Sequence, residues 1–168
     1  MLVLFITAYV LIGLKIKHNK TSDETMVANP LNIRLTFDEC NINFFDGKLP
    51  IPLFDLLHSF RTCGYFQYTM GGWLDKTVYN PIIFITDYYD FTEKQFMDIM
   101  VHEMIHYYLA YIGEDMKCKH GKKFKKIAEK LNQTYNLNIV TDVDLSQYKR
   151  RAGTPSLSYW FVKKIYCV

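Results

Sequence analysis

Paired cysteines are missing from this chain of 168 residues. The four cysteines are scattered, and none forms a C-x-x-C pair: Cys40, Cys63, Cys118 and Cys167. A zinc ribbon and a disulfide framework both need paired or regularly spaced cysteines, so the sequence predicts neither. Isolated thiols are typical of a reduced, cytoplasmic protein. A single cysteine without a spaced partner is usually incidental, and we expect no metal-binding role for Cys118.

A large charge excess is also missing. The formal net charge is +3 with 22% charged residues, so the chain as a whole is not a polyelectrolyte. Hydrophobic residues make up 49% and aromatic residues 16%, which excludes an intrinsically disordered protein. No internal repeat or low-complexity segment interrupts the sequence. These features predict a single domain of class α+β with a sizeable core.

A hydrophobic run that spans a membrane comfortably is absent as well. The apolar stretch Met1 to Leu14 is shorter than the roughly 20 residues that a transmembrane helix needs. No Lys or Arg precedes it and no clear cleavage site follows it, which argues against a signal peptide. Three interpretations stay open: a mis-called start with Met26 as the true one, a disordered tail, or a membrane anchor. In the last case the lysines that follow would keep the domain in the cytoplasm.

The predicted organisation is an apolar N-terminal segment, residues 1–25, followed by a single catalytic domain, residues 26–168, in the cytoplasm. We expect a monomer. Within the domain, the predicted first helix is Leu31 to Asn43, and a second amphipathic helix runs from Lys122 to about Asn132. The predicted extended segments are 53–57, 63–69, 82–85 after Pro81, 136–140 and 159–165, with a turn at Gly71-Gly72.

Two histidines one helical turn apart carry the chemistry of the chain. His102 and His106 stand at i and i+4, so in a helix they share one face and can hold one zinc ion. Glu103 lies on the flank of that face, where its carboxylate can take a proton from water at the metal without being a ligand. This pattern is the hydrolytic core of a zinc metalloendopeptidase.

The surrounding sequence predicts that this motif is helical. Thr92 followed by Gln95 indicates a capping box, and Gly113 supplies a C-terminal stop about twenty residues later. Apolar residues recur at three- and four-residue steps between these limits, as in a deeply packed helix. A metal ion would satisfy both imidazoles there. The alternative is two core histidines bonded to backbone carbonyls, with Glu103 on a solvated edge.

A catalytic zinc site needs a third protein ligand, and His120 is the candidate. It follows a loop after Gly113 and directly precedes Gly121 and the second amphipathic helix, so the loop could return it to the metal. The alternative is an ordinary surface histidine among lysines. His18 and His58 have no comparable setting, and we interpret them as surface or core residues.

The chain resembles the SprT-like metalloprotease family, whose eukaryotic branch is called Spartan. The resemblance rests on VHEMIHYY at 101–108, HGKKF at 120–124, FDECNINFFDGKLP at 37–50 and Gly64-Tyr65-Phe66, within residues 31–138. It implies a small zincin-like domain, with the active helix packed on a short mixed or antiparallel sheet. It also implies His102, His106 and His120 as ligands of Zn²⁺, and Glu103 as the catalytic acid/base.

Family resemblance further implies a substrate. The best-studied branch cleaves proteins bound or crosslinked to DNA, and in zincins the sheet edge beside the active helix receives the substrate backbone as an added strand. Gly64 to Tyr68 is the candidate for that edge; alternatively it is an internal hairpin strand. Many family members carry a cysteine zinc ribbon, whose cysteine pattern is not found here.

Clustered lysines are the only local indication of a partner. Seven of them lie within fourteen residues: Lys117, Lys119, Lys122, Lys123, Lys125, Lys126 and Lys130. A second cluster comprises Lys149, Arg150 and Arg151. Such clusters suit contacts to DNA phosphates, although a solvated helix face is the common alternative. A second hypothesis is therefore a nucleic-acid-associated regulatory zinc module with little protease activity.

Overall fold

A computed structural model describes residues 25–71, 75–114 and 120–153. The apolar stretch Met1–Leu14, the strand predicted at 159–165, and Lys117, Cys118 and Lys119 lie outside the described residues, as does part of the Gly71-Gly72 turn. No helix within the described ranges is long and apolar enough to cross a membrane.

The described residues form three α-helices of this α+β structure. They are α1 (Pro30–Phe45), α2 (Glu93–Tyr111) and α3 (Lys122–Tyr135), and a short 3₁₀ helix covers Leu145–Gln147. All three predicted helices are confirmed, with α1 and α3 a few residues longer than expected because left-handed residues, Asp46 and Asn136, end them. Asn29 caps α1 by accepting the Asn32 N–H, and Pro30 suits the first helical turn, which needs no donor there.

Helix α2 has the ends that the sequence predicts. The Thr92 hydroxyl accepts the Gln95 N–H, while the Gln95 side chain accepts the Thr92 N–H, which completes the capping box. At the other end Gly113 has a φ of +70°, a conformation that favours glycine. The N–H groups of Gly113 and Glu114 bond to carbonyls of the last turn, which closes the helix.

Within the described part of the chain, six strands form two small sheets. The strands are β1 (Thr25–Val27), β2 (Leu53–Leu57), β3 (Gly64–Met70), β4 (Val78–Thr86), β5 (Tyr89–Thr92) and β6 (Lys149–Arg150). One sheet has the order β1-β5-β6 and is antiparallel; the other has the order β2-β4-β3, with β2 parallel and β3 antiparallel to β4. The mixed character of the second sheet is as predicted. The short strands of the first sheet, two to four residues each, carry too little pattern to predict.

Two strand predictions were wrong. Strand β4 begins at Val78, before Pro81, because the register with β3 shifts there: Gln67 pairs with Ile82, whereas Thr69 pairs with Tyr79. Asn80 has a φ of +49° at this irregularity, so Pro81 lies where one extra residue interrupts the ladder and its missing N–H costs nothing.

The second wrong prediction is the strand at 136–140, which forms no strand. Its backbone groups bond to side chains of the helices instead of a neighbouring strand. Asn132 bonds to both the N–H and the C=O of Ile139, and Asp98 accepts the N–H of Asn138. Apolar content alone cannot distinguish a buried strand from such a segment.

The core lies between α1, α2 and the mixed sheet. Its largest fully buried side chains include Phe37, Phe96, Met104, Ile83 and Ile85. Most residues of α2 are buried, so this helix passes through the interior and not along the surface. Polar residues in its second half therefore lie in a low-dielectric environment.

A loop between α1 and β2 is tied to the second half of α2, which carries His106. Asn41 donates to the C=O of Leu49 at 2.8 Å and accepts its N–H at 3.1 Å. The Tyr107 hydroxyl donates to the C=O of Pro50 at 3.0 Å. These bonds explain structurally why asparagine and the Leu-Pro pair belong to the motif at 37–50.

Candidate metal centre

Helix α2 presents His102 and His106 on one face, one turn apart. Their ring centroids lie 5.1 Å apart, and His106 is buried, 5% exposed. His120 immediately precedes α3, and its ring lies 4.8 Å from that of His102 and 5.0 Å from that of His106. The structure thus brings together the three histidines that the sequence selected.

The three imidazoles could hold one metal ion. One ring nitrogen from each histidine lies within 4.8 Å of the other two, and the Nε2 atoms of His102 and His120 are 3.0 Å apart. Metal ligation needs neutral imidazoles. Burial, reinforced by the neighbouring His106 and His120, lowers the pKa of His102 to about 3, so its ring is neutral at physiological pH.

Phe124 forms an apolar wall behind the histidines. This fully buried ring lies 4.9 Å, 4.6 Å and 4.7 Å from the rings of His102, His106 and His120, measured between centroids. One face of the cluster is therefore closed to water. The sequence indicated Phe124 only as a core residue of α3; its spacing of i+4 from His120 is the signal that could have placed it beside the site.

Glu103 is a buried carboxylic acid beside the cluster. Glu103 is 6% exposed, and burial raises the pKa of its carboxyl to about 8. A hydrogen bond from the Phe66 N–H to the carboxylate acts in the opposite direction and lowers this pKa. The alternative of Glu103 on a solvated edge is therefore excluded. A residue with such a shifted pKa next to a polar cluster is typical of a functional site.

Strand β3 approaches Glu103 closely because Gly64 has no side chain. A Cβ at Gly64 would lie 2.6 Å from Glu103 Oε1 and 2.8 Å from its Cγ. Any larger residue would have to displace the carboxylate. Gly64 therefore makes room for the side chain of Glu103.

The register of β3 determines which of its backbone groups face the site. The N–H of Thr86 bonds to the C=O of Cys63, so in this antiparallel ladder Cys63, Tyr65 and Gln67 direct their backbone groups towards β4. Gly64 and Phe66, which alternate with them, direct theirs away from β4. Because β3 is the edge of its sheet, these groups face the cleft, and the Phe66 N–H meets Glu103 there.

A cleft of about 320 Å³ runs past the cluster. Its walls come from β3, from α2 and from residues 138–148. The third wall was missed by sequence reasoning, since nothing in the pattern of 138–148 connects it to the histidines. His58, by contrast, lies away from the cluster and pairs with Asp87 at 2.7 Å, and it is not among the metal-binding candidates.

Taken with the fold, the cluster defines an α+β protein that carries a candidate metal centre. A model of the SprT-like family matches residues 33–149, which is more than half of the chain, so the protein belongs to the SprT-like family. Membership suggests a function of metalloprotease type. A search of curated proteins gives no match.

Proposed function

We propose that this chain is a zinc-dependent endopeptidase with a zincin-like active site. The observation that carries the proposal is the convergence of His102, His106 and His120 beside the buried carboxyl of Glu103. Three imidazoles suit zinc, and catalytic zinc sites use three protein ligands and keep one position open. Here the cleft is lined by all three histidines and by Glu103, which leaves space beside the cluster for an open position.

Each residue of this site then has a defined task. A bound Zn²⁺ supplies Lewis acidity, polarising a carbonyl and lowering the pKa of water to about 7. Glu103 accepts the proton of the attacking water and returns it to the departing amine. Burial raises the pKa of Glu103, whereas a cation bound to the neighbouring histidines would oppose that shift and favour the carboxylate that accepts the proton. The hydrogen bond from Phe66 orients the carboxylate.

The proposed substrate is a polypeptide that binds in extended form along β3. An edge strand offers unpaired N–H and C=O groups to which such a chain can add as a further strand. The N–H and C=O of Gly64 and the C=O of Phe66 face away from β4 beside Glu103, whose carboxylate accepts the Phe66 N–H, so a peptide bond paired with these three groups would lie next to the carboxyl. Main-chain recognition of this kind favours unfolded or flexible segments over compact domains.

Substitution of Glu103 by glutamine tests the proposal. The purified chain, loaded with Zn²⁺, is incubated with casein and with a DNA-binding protein, and fragments are identified by mass spectrometry. Glutamine keeps an acceptor for the Phe66 N–H but cannot transfer the proton, so Glu103→Gln should retain zinc and lose cleavage by at least about a hundredfold. Zinc-loaded wild-type protein that cleaves neither substrate would contradict the proposal.

A second candidate function is a nucleic-acid-associated module, favoured by the basic surface of α3. Lys122, Lys125, Lys126 and Lys130 are all exposed on this helix, which begins two residues after His120. Lys123 is also exposed but forms an ion pair with Glu114. Clustered lysines bind phosphates without reading base sequence. DNA held there would bring DNA-bound or crosslinked proteins close to the candidate metal centre.

Binding to single-stranded DNA tests the second candidate. The double variant Lys125→Ala/Lys126→Ala should weaken binding and reduce its salt dependence, whereas Arg34→Ala, which removes a positive charge paired with Asp38 near the start of α1, should bind as wild type. DNA-stimulated cleavage that Glu103→Gln abolishes would support a protease acting near DNA. DNA binding without cleavage would favour the regulatory module.

A further inference from the structure

The segment 136–140 links α3 to the candidate metal centre. The segment begins at Asn136, which ends α3 with a left-handed φ of +54°. It forms no strand. Its fourth residue, Ile139, is buried at 5% exposure. The backbone groups of a buried residue without a partner strand must be satisfied in another way.

Side chains from two helices provide those hydrogen bonds. Asn132 of α3 donates to the C=O of Ile139 at 3.0 Å and accepts the N–H of the same residue at 2.8 Å. Asp98 of α2 accepts the N–H of Asn138 at 2.9 Å through Oδ1. Asp98 is itself 9% exposed and is also bonded by Lys94. Three bonds therefore fix the position of two consecutive residues.

The next residue along the segment contacts the metal centre. The imidazole of His102 forms a hydrogen bond with the backbone of Val140. Since Nε2 of His102 lies 3.0 Å from Nε2 of His120, the nitrogen left for the Val140 carbonyl is Nδ1. A ring that donates Nδ1–H to a carbonyl keeps the lone pair of Nε2 free for a metal.

We propose that Asn132 and Asp98 are positioning residues of the metal centre. By holding 136–140 they place the Val140 carbonyl, which in turn selects the tautomer and the orientation of His102. Neither residue is one of the three histidines of the candidate metal centre. The inference rests on the proposed metal site, and it names the residues that hold one of its ligands in place.

A matched pair of substitutions at Asp98 tests this. Asp98→Asn and Asp98→Ala both remove the negative charge, but only asparagine keeps an acceptor for the Asn138 N–H. Zinc affinity, measured by competition with a chromophoric chelator, should stay within about twofold of the wild type in Asp98→Asn and fall about 10- to 100-fold in Asp98→Ala. Asn132→Ala should lose as much, while Gln133→Ala, an exposed neighbour on α3, should bind as wild type.

Histidine ¹⁵N chemical shifts supply a readout that a general loss of stability would not move. In the folded, metal-free wild-type protein His102 should carry its proton on Nδ1, and in Asp98→Ala and Asn132→Ala that preference should be lost. If either alanine variant fails to fold, as judged by circular dichroism, the other one decides.

Two results would overturn the inference in distinguishable ways. Folded alanine variants with wild-type zinc affinity and an unchanged His102 tautomer would refute the positioning role alone, provided that the wild type binds zinc. A wild-type protein that binds no zinc would refute both the proposed function and this inference.

Discussion

The Nε2 atoms of His102 and His120 lie 3.0 Å apart, although eighteen positions separate the two residues in the chain. One belongs to the middle of α2 and the other to the entry into α3. Their approach completes a set that α2 alone cannot supply, because a single helical face offers only His102 and His106. The position of the third donor, His120, thus depends on how the two helices pack.

Replacing His120 should therefore abolish tight metal binding. His120→Ala leaves two ligands, and the zinc content of the purified protein should fall from about one ion per chain to below about 0.1, because two imidazoles rarely suffice for a stable site. Metal analysis by mass spectrometry measures this. His58→Ala removes an exposed histidine paired with Asp87 and should retain the ion. Equal zinc content in both variants would show that His120 is not a ligand.

Adding a methyl group at Gly64 should impair catalysis without removing the metal. The new Cβ of Gly64→Ala would lie 2.6 Å from Glu103 Oε1, so the carboxylate must leave its position beside the Phe66 N–H. We expect kcat for peptide cleavage to fall at least about tenfold, because misplacing a catalytic group is costly. Zinc content should be unchanged.

Gly121→Ala is the control for this prediction, since a Cβ there meets no atom within 4 Å. Its kcat should lie near that of the wild type. A Gly64→Ala variant with wild-type kcat would mean that Glu103 tolerates displacement, and the assigned role of the close approach would then be wrong.

Removing the Asn41 side chain should destabilise the fold. Asn41→Ala leaves both backbone groups of the buried Leu49 without their partner, and unsatisfied buried polar groups cost about 1–3 kcal/mol each. We expect the free energy of unfolding in urea to fall by about 2–4 kcal/mol. Asn43→Ala, on the exposed side of the same helix, should change it by less than about 0.5 kcal/mol. Similar values for the two variants would contradict the assigned role of Asn41.

The thiol of Cys63 should resist alkylation. Burial, with a smaller contribution from Glu103, raises its pKa from 9.0 to about 12, so the folded protein keeps the neutral thiol. Because the folded protein holds this proton more tightly than the unfolded chain, the stability that the buried thiol contributes is fully present below pH 9. It is lost as the pH rises from about 9 to 12. At pH 9 iodoacetamide should modify native Cys63 at least about a hundredfold more slowly than the urea-unfolded chain, because only the thiolate reacts.

Peptide mapping by mass spectrometry assigns the modified cysteine in each sample. Cys63 in the unfolded chain serves as its own reference at the same pH. Native labelling within about tenfold of that reference would mean that the thiol reaches solvent, contrary to its 5% exposure.

Local sequence was sufficient to predict helix α2. The capping box at Thr92, the stop at Gly113 and the spacing of His102 and His106 all depend on contacts within a few residues, and each is found as predicted. The strands of the mixed sheet were also predictable, apart from the start of β4. There an extra residue in β4 accommodates Pro81. Whether such a bulge forms depends on the pairing with β3, which local sequence does not show.

The contacts between segments far apart in the chain depend on tertiary packing. Sequence patterns were enough to predict α2, its two histidines and Glu103, and they singled out His120 as a candidate third ligand. They could not show that Gly64 and the Phe66 N–H meet Glu103, that Phe124 backs the cluster, or that 136–140 supports His102 as a segment held by Asn132 and Asp98. Local periodicity reports which residues are buried, whereas the identity of their neighbours depends on how helices and strands pack.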